Sequence, residues 1–159
     1  MFHDILVAVD GSIHAERALA EAVDLARTQR ARLTILTAVP HPPATVSYGG
    51  MSPSALEADA EVESEAILRR AKEIVPGDVS VTTILTRAAV RDALSEQVET
   101  GRFDLLVIGS RGRDAVRSTL LGSVSHHLLN HSAIPLLIVH ATTLSDERER
   151  ESGVLADAV

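Results

Sequence analysis

Gly109, Gly112 and Gly122, followed by Ser123 and Ser125, are the residues of this chain best suited to holding an anion. An apolar run, Leu105-Leu106-Val107-Ile108, leads into the first glycine, and a helical pattern from Val124 to Leu129 leads out of the last. Strand, glycine loop and helix start form a recipe for phosphate. Glycine lets a ligand approach the backbone closely, and the free N–H groups of a helix start attract negative charge. Ser123 and Ser125 would add hydroxyl donors at the same end, and each could also serve as the helix N-cap. A glycine turn also suits any tight strand-to-helix connection. The loop follows neither common nucleotide pattern. Leu121-Gly122-Ser123 stands where a Walker loop has Gly-Lys-Ser, and the only lysine is Lys72. No third glycine follows Gly109 and Gly112 at the offset that G-x-G-x-x-G requires.

Charge must be supplied locally. The chain carries a formal charge of −7, which argues against a general nucleic-acid binder, whose footprint is basic. An anionic ligand would meet a repulsive average field, screened over roughly 8 Å at physiological salt. Arg111, Arg113 and Arg117 are the cations inside the loop. His126 and His127 lie beyond it without the partner pattern of acid–base or metal chemistry. His3, His14, His41, His131 and His140 are scattered and suggest no metal site. With no cysteine, thiol chemistry and disulfides are excluded.

The elements that must position these residues follow from periodicity. At 159 residues, 45% hydrophobic and only 2% aromatic, the chain fits one domain with an aliphatic core. Residues 4–9 read as a buried strand ending in Asp10-Gly11-Ser12, with Ser12 an N-cap. Ala15, Ala18, Leu19, Ala22, Val23 and Ala26 then recur at helical spacing. Leu33 to Val39 is the second strand, giving a strand–helix–strand unit with a right-handed crossover. The stretch from Pro40 to Pro53, with Tyr48, Gly49 and Gly50, is a long connecting loop. Ser54-x-x-Glu57 predicts a capping box for a helix reaching about Val75. Its apolar face is Leu56, Ala60, Ile67, Ala71 and Ile74, and Glu57, Glu61, Glu63 and Glu65 form a solvated acidic face. Val79 to Leu85 is a third strand, and Val90 to Val98 a third helix closed by Gly101. Phe103 to Ile108 is strand four, a fourth helix runs to about His131, and Leu136 to His140 is strand five. The domain covers residues 1–141, and 142–159 form a charged tail.

Gly-x2-Gly-x9-Gly-Ser resembles the ATP-binding signature of the universal stress protein family, with every defined position filled. The resemblance covers nearly all of residues 2–140. It includes Ile5 to Ser12, Phe103 to Gly109, and Ile134-Pro135-Leu136-Leu137-Ile138-Val139, in the family's order. It implies a single Rossmann-like, doubly wound α/β fold: a five-stranded parallel sheet of order 3-2-1-4-5 with helices on both faces. In that order the sheet switches direction between strands one and four, where ligands of open α/β sheets bind. Asp10 and Gly109 end those two strands.

The resemblance also implies roles. Asp10, otherwise a turn residue, would place a carboxylate near the ribose or adenine, and Ala38 and Val39 would offer backbone groups to the adenine edge. Gly109, Gly112 and Gly122 would line the phosphates, with Arg111 and Val124 beside them. Ser123 and Ser125 match the family's hydroxyl pair near the outer phosphates. The expected ligand is ATP with Mg2+, controlling conformation or partner choice in a stress response. Slow ATP hydrolysis and a nucleotide-free dimeric scaffold are the alternatives; with no Walker lysine and no positioned base, an enzyme is not expected. A homodimer through strand five, Leu136 to His140, is expected because a long apolar edge invites pairing. No apolar stretch approaches the ~20 residues that span a bilayer, and no basic leader precedes the first strand, so a soluble cytoplasmic protein is expected.

Overall fold

Alternation along each strand decides which side chains meet which layer of helices. The computed structural model describes residues 1–41, 52–113 and 121–141. Its elements are β1 (Asp4–Ala8), α1 (Ile13–Gln29), β2 (Arg32–Ala38), α2 (Pro53–Glu73), β3 (Val81–Thr86), α3 (Val90–Glu99), β4 (Leu105–Gly109), α4 (Ser123–His131) and β5 (Leu136–Val139). All pairings are parallel, and the strand order is β3-β2-β1-β4-β5.

Ile5 and Val7 of β1, Leu33 and Ile35 of β2, and Leu105 and Val107 of β4 share one face, packed against α1 and Ala71 of α2. Leu6, Leu36, Leu106 and Ile108 point the other way, onto Leu94 and Val98 of α3 and Leu128 of α4. Both faces of the central strands are therefore apolar, as a sheet sandwiched between helices requires. The buried face of α1 is rich in alanine (Ala15, Ala18, Ala22 and Ala26), so this helix can lie close to the sheet. Ser12 caps it, accepting from the Ala15 amide at 3.2 Å.

Five expectations need correction. The cap of α2 is Ser52, not Ser54: Ser52 Oγ accepts from the Ala55 amide at 3.3 Å. Pro53 takes the first helical position, where its missing N–H costs nothing. Ile74 is the C-cap of α2 and is 60% exposed, so it does not extend the apolar face. The acidic face of α2 is not merely solvated, because Glu61 pairs with Arg87 and Glu63 with Arg113. Finally, β3 starts at Val81; Val79 is buried in the preceding turn, its amide bonded to the Pro76 carbonyl. β5 ends at Val139, with His140 just beyond. The loop from 42 to 51, Arg117 and the tail from 142 onward lie outside the described residues. No helix among the described residues is long and apolar enough to cross a membrane.

Candidate functional site

At the carboxyl ends of the strands, where β1 and β4 diverge, lies a cavity of about 460 Å³. All the singled-out positions line it: Asp10 after β1, Ala38 and Val39 at the end of β2, Gly109, Arg111 and Gly112 after β4, and Gly122 to Ser125 at the start of α4. Arg113 joins them, whereas His126 and His127 do not.

Asp10 works first as a clamp between two turns. Its Oδ1 accepts from the Ser12 amide and its Oδ2 from the Arg113 amide, each at 3.0 Å. One carboxylate thus joins the turn after β1 to the glycine loop after β4. Gly112 is needed there, because a Cβ would stand 2.8 Å from Asp10 Oδ2. Gly109 is needed for a different reason. A Cβ on it would lie 2.7 Å from the backbone carbon of His14, at the start of α1. The glycine lets α1 close onto the end of β4. Gly122 has no such crowding among the described residues, whose nearest atoms to a Cβ would be 3.5 Å away. Its φ of −69° is open to any residue.

The two loop ends are tied through Ser110, whose carbonyl accepts from the Gly122 amide at 2.7 Å while its own amide donates to Val139 of β5. Gly122, not either serine, is the N-cap of α4, and among the described residues no side chain caps this helix. Helix geometry leaves the amides of Ser123, Val124 and Ser125 without intrahelical acceptors. These donors, with the positive end of the helix, face the glycine loop across the cavity. Ser123 is exposed, whereas Ser125 is buried and donates to the Gly109 carbonyl at 2.9 Å. The two hydroxyls are therefore not an equivalent pair.

Arg111 is half-buried, and its Nε has no partner among the described residues. Arg113 Nη2 reaches Glu63 Oε1 of α2 at 2.5 Å. Two hydroxyl-bearing residues escaped notice in the sequence. Thr37 of β2 is buried against the cavity with no partner for Oγ1 among the described residues. Ser64 of α2, bonded to the Ala60 carbonyl, also lines the cavity. Ser64 had a signal: it fills the gap between Ala60 and Ile67 in the apolar stripe of α2.

The histidines are less scattered than their positions suggest. His14 Nδ1 accepts from the Ala141 amide at 2.9 Å and lies 3.4 Å from Ser110 Oγ, which is 3.0 Å from His140 Nδ1. The two rings tilt against each other with centroids 5.0 Å apart. This cluster fastens the start of α1 to the ends of β4 and β5, behind the cavity. His127 stacks on His131 on the surface of α4, and desolvation, then the nearby His131 and Arg91, lower its pKa. Neither of these two rings lines the cavity; the imidazole that does is the exposed His41, just after β2.

Comparison with known proteins agrees with the geometry. The profile of the universal stress protein family matches residues 1–140. The universal stress protein YxiE of Bacillus subtilis is 35% identical, over 87% of this chain and 99% of that protein. Universal stress protein UspA from Lactobacillus plantarum superposes with a TM-score of 0.75 at 22% identity, over 86% of this chain and 97% of that one. A universal stress protein solved in complex with cAMP superposes at 0.65 with 28% identity, covering 89% of this chain and 98% of that one.

Proposed function

The chain belongs to the universal stress protein family, and from that premise we propose that it is a regulatory stress protein whose crevice binds an adenine nucleotide, ATP foremost. Occupancy, not turnover, sets its conformation or partner choice in the cytoplasm. The observation that carries this reading is the convergence of Asp10, Ala38, Val39 and the whole glycine signature on one cavity at the sheet's switch point. The open amides of α4 and the unpartnered Arg111 Nε fit a phosphate chain. The backbone of Ala38 and Val39 fits the polar edge of a base. A relative bound to cAMP supports the same ligand class.

Mg2+ would travel with the phosphates. Among the described residues no three His, Cys, Asp or Glu side chains converge on a metal position. Asp10 is the carboxylate in the crevice, and both its oxygens already hold backbone amides. The ion would therefore be coordinated chiefly by ligand oxygens and water. Among the described residues no lysine lines the crevice, and its carboxylate, Asp10, already holds two backbone amides, which supports binding over hydrolysis.

Mass measurement of small molecules released from freshly purified protein, followed by calorimetry, tests the reading. ATP or a related adenylate should bind in the micromolar range, about −8 kcal/mol. Absence of any adenylate from the crevice, with no heat on titration, would return the chain to the scaffold reading. Sustained ADP release at about 1 s⁻¹ or faster would move it to the enzymes.

The second part of the proposal is a homodimer through β5. That strand is an edge of the sheet, and Leu136, Leu137 and Ile138 remain only half-buried in one chain. Pairing with a second copy would satisfy both edges under twofold symmetry. Sedimentation should show a dimer that Ile138→Lys converts to a folded monomer. A monomeric parent protein would end this part of the proposal.

A further inference from the structure

Arg113 is held at two points beside the cavity. Its amide is fixed to Asp10 Oδ2, while its guanidinium reaches across to Glu63 on α2. The guanidinium is therefore the part free to change partner. Arg113 lines the cavity, and Glu63 immediately precedes Ser64, which lines it too. The paired side chains are 42% and 54% exposed. Ion pairs so open to water are weak, because solvent screens them and two long side chains must be ordered. A terminal phosphate carries about two negative charges and three acceptor oxygens. Within reach of the same guanidinium, it outcompetes a single carboxylate.

We propose that Glu63 is the resting partner of Arg113 and that the outer phosphates of a bound adenylate displace it, so that this pair makes the site count phosphates. The inference rests on the adenine-nucleotide reading and adds what selects among adenylates. A ligand with one phosphate can be held by the α4 amides and leaves the Arg113–Glu63 pair intact. A longer chain extends past Gly112 to Arg113 and takes it over. Release of Glu63 has a consequence for α2. That helix loses one of its two ion-pair ties among the described residues, the other being Glu61 to Arg87, so phosphate number is transmitted to an outer helix.

The test is a double-mutant cycle read by calorimetry with AMP, ADP and ATP on the full chain. Glu63→Gln should tighten ATP about two- to fivefold, the scale of an exposed ion pair, and leave AMP unchanged. Arg113→Gln should weaken ATP about tenfold, as for a lost charged hydrogen bond, again sparing AMP. In the Arg113→Gln background, Glu63→Gln should bring no gain, which separates partner exchange from mere removal of a negative charge. Glu61→Gln removes the same charge from the same helix and should leave all three affinities unchanged. A gain from Glu63→Gln that persists without Arg113, or that is equal for AMP and ATP, overturns the exchange. Binding of all three ligands with unchanged affinity in both single variants overturns it while leaving the nucleotide reading standing. Failure of the parent protein to bind any of them removes both.

Discussion

The glycine loop begins and ends with glycines that look interchangeable in sequence, yet they sit in opposite surroundings. At Gly109 an added carbon would strike the backbone of α1 at 2.7 Å, and at Gly112 it would strike the pinned carboxylate of Asp10 at 2.8 Å. At Gly122 it would meet no described atom closer than 3.5 Å. The first end is glycine because the fold needs the room. The second is glycine although no described residue crowds it, which is what the proposed ligand would require. The serines divide in the same way: Ser125 is buried and committed to the Gly109 carbonyl, while Ser123 stays exposed at the cavity. On the proposed reading, the signature mixes residues that build the site with residues left for its occupant.

The largest expected effect breaks the fold end. Gly109→Ala should cost about 2–3 kcal/mol of stability, because the new methyl overlaps backbone that cannot rotate away. At the other end, Gly122→Ser should raise stability slightly, by about 0.3 kcal/mol, since serine is the better N-cap. The same variant should lose ATP affinity about tenfold, or about 1.4 kcal/mol, by placing atoms where phosphate belongs. Urea denaturation and calorimetry on both variants measure the two quantities. Equal stability losses at the two positions would erase the distinction.

The serines give a smaller and sharper comparison. Ser123→Ala should cost about 1.5–3 kcal/mol of ATP binding, the range for a hydrogen bond to a charged group. Its stability should stay within about 0.5 kcal/mol, as for an exposed site. Ser125→Ala should do the reverse, losing about 1 kcal/mol of stability with the hydrogen bond to Gly109. A Ser125 variant with full stability and lost affinity would move that hydroxyl to the ligand side.

How much of this division was readable beforehand depends on sequence distance. The apolar run into Gly109 and the helical pattern after Gly122 located strand, loop and helix within a residue or two, because both signals are local. Strand order came from the family resemblance, and the order found is the same. The reason for Gly109 was not readable, since it lies in the approach of His14, far away in sequence, set by the alanine face of α1. The double hold of Asp10 and the Arg113–Glu63 pair were hidden for the same reason. Nothing local marks His14 and His140 as partners around Ser110. The cap of α2 was a different kind of miss. Ser52-Pro53-Ser54 offers two caps, and the proline belongs one place after the true one.

A carboxylate at the far end of the same two strands tests whether the comparison holds for the whole β1–β4 seam. Asp104 precedes β4 as Asp10 follows β1, and it too gathers two amides, those of His3 at 2.7 Å and Asp4 at 3.1 Å. Burial works against its charged form, yet these amides and the His3 ring outweigh that and hold its carboxyl below the ordinary value of 3.8. A carboxyl depressed in the folded state stabilises the fold above its unfolded pKa, and that stabilisation disappears as pH falls through the folded value. The side chain is 39% exposed, so solvent screening keeps the effect modest. Asp104→Asn retains one acceptor oxygen and should lower the melting temperature slightly at neutral pH. The difference from the parent should shrink as the pH drops below about 4 and vanish once both carry a neutral group. Because Asp104 lies at the sheet end opposite the cavity, ATP affinity at neutral pH should not change. Melting curves from pH 7 down to acid, with calorimetry at neutral pH, read both quantities. A pH-independent deficit would show that Asp104 acts through shape and not charge. A loss of affinity would show that the seam transmits strain to the crevice, and the separation of fold residues from ligand residues would then fail at its far end.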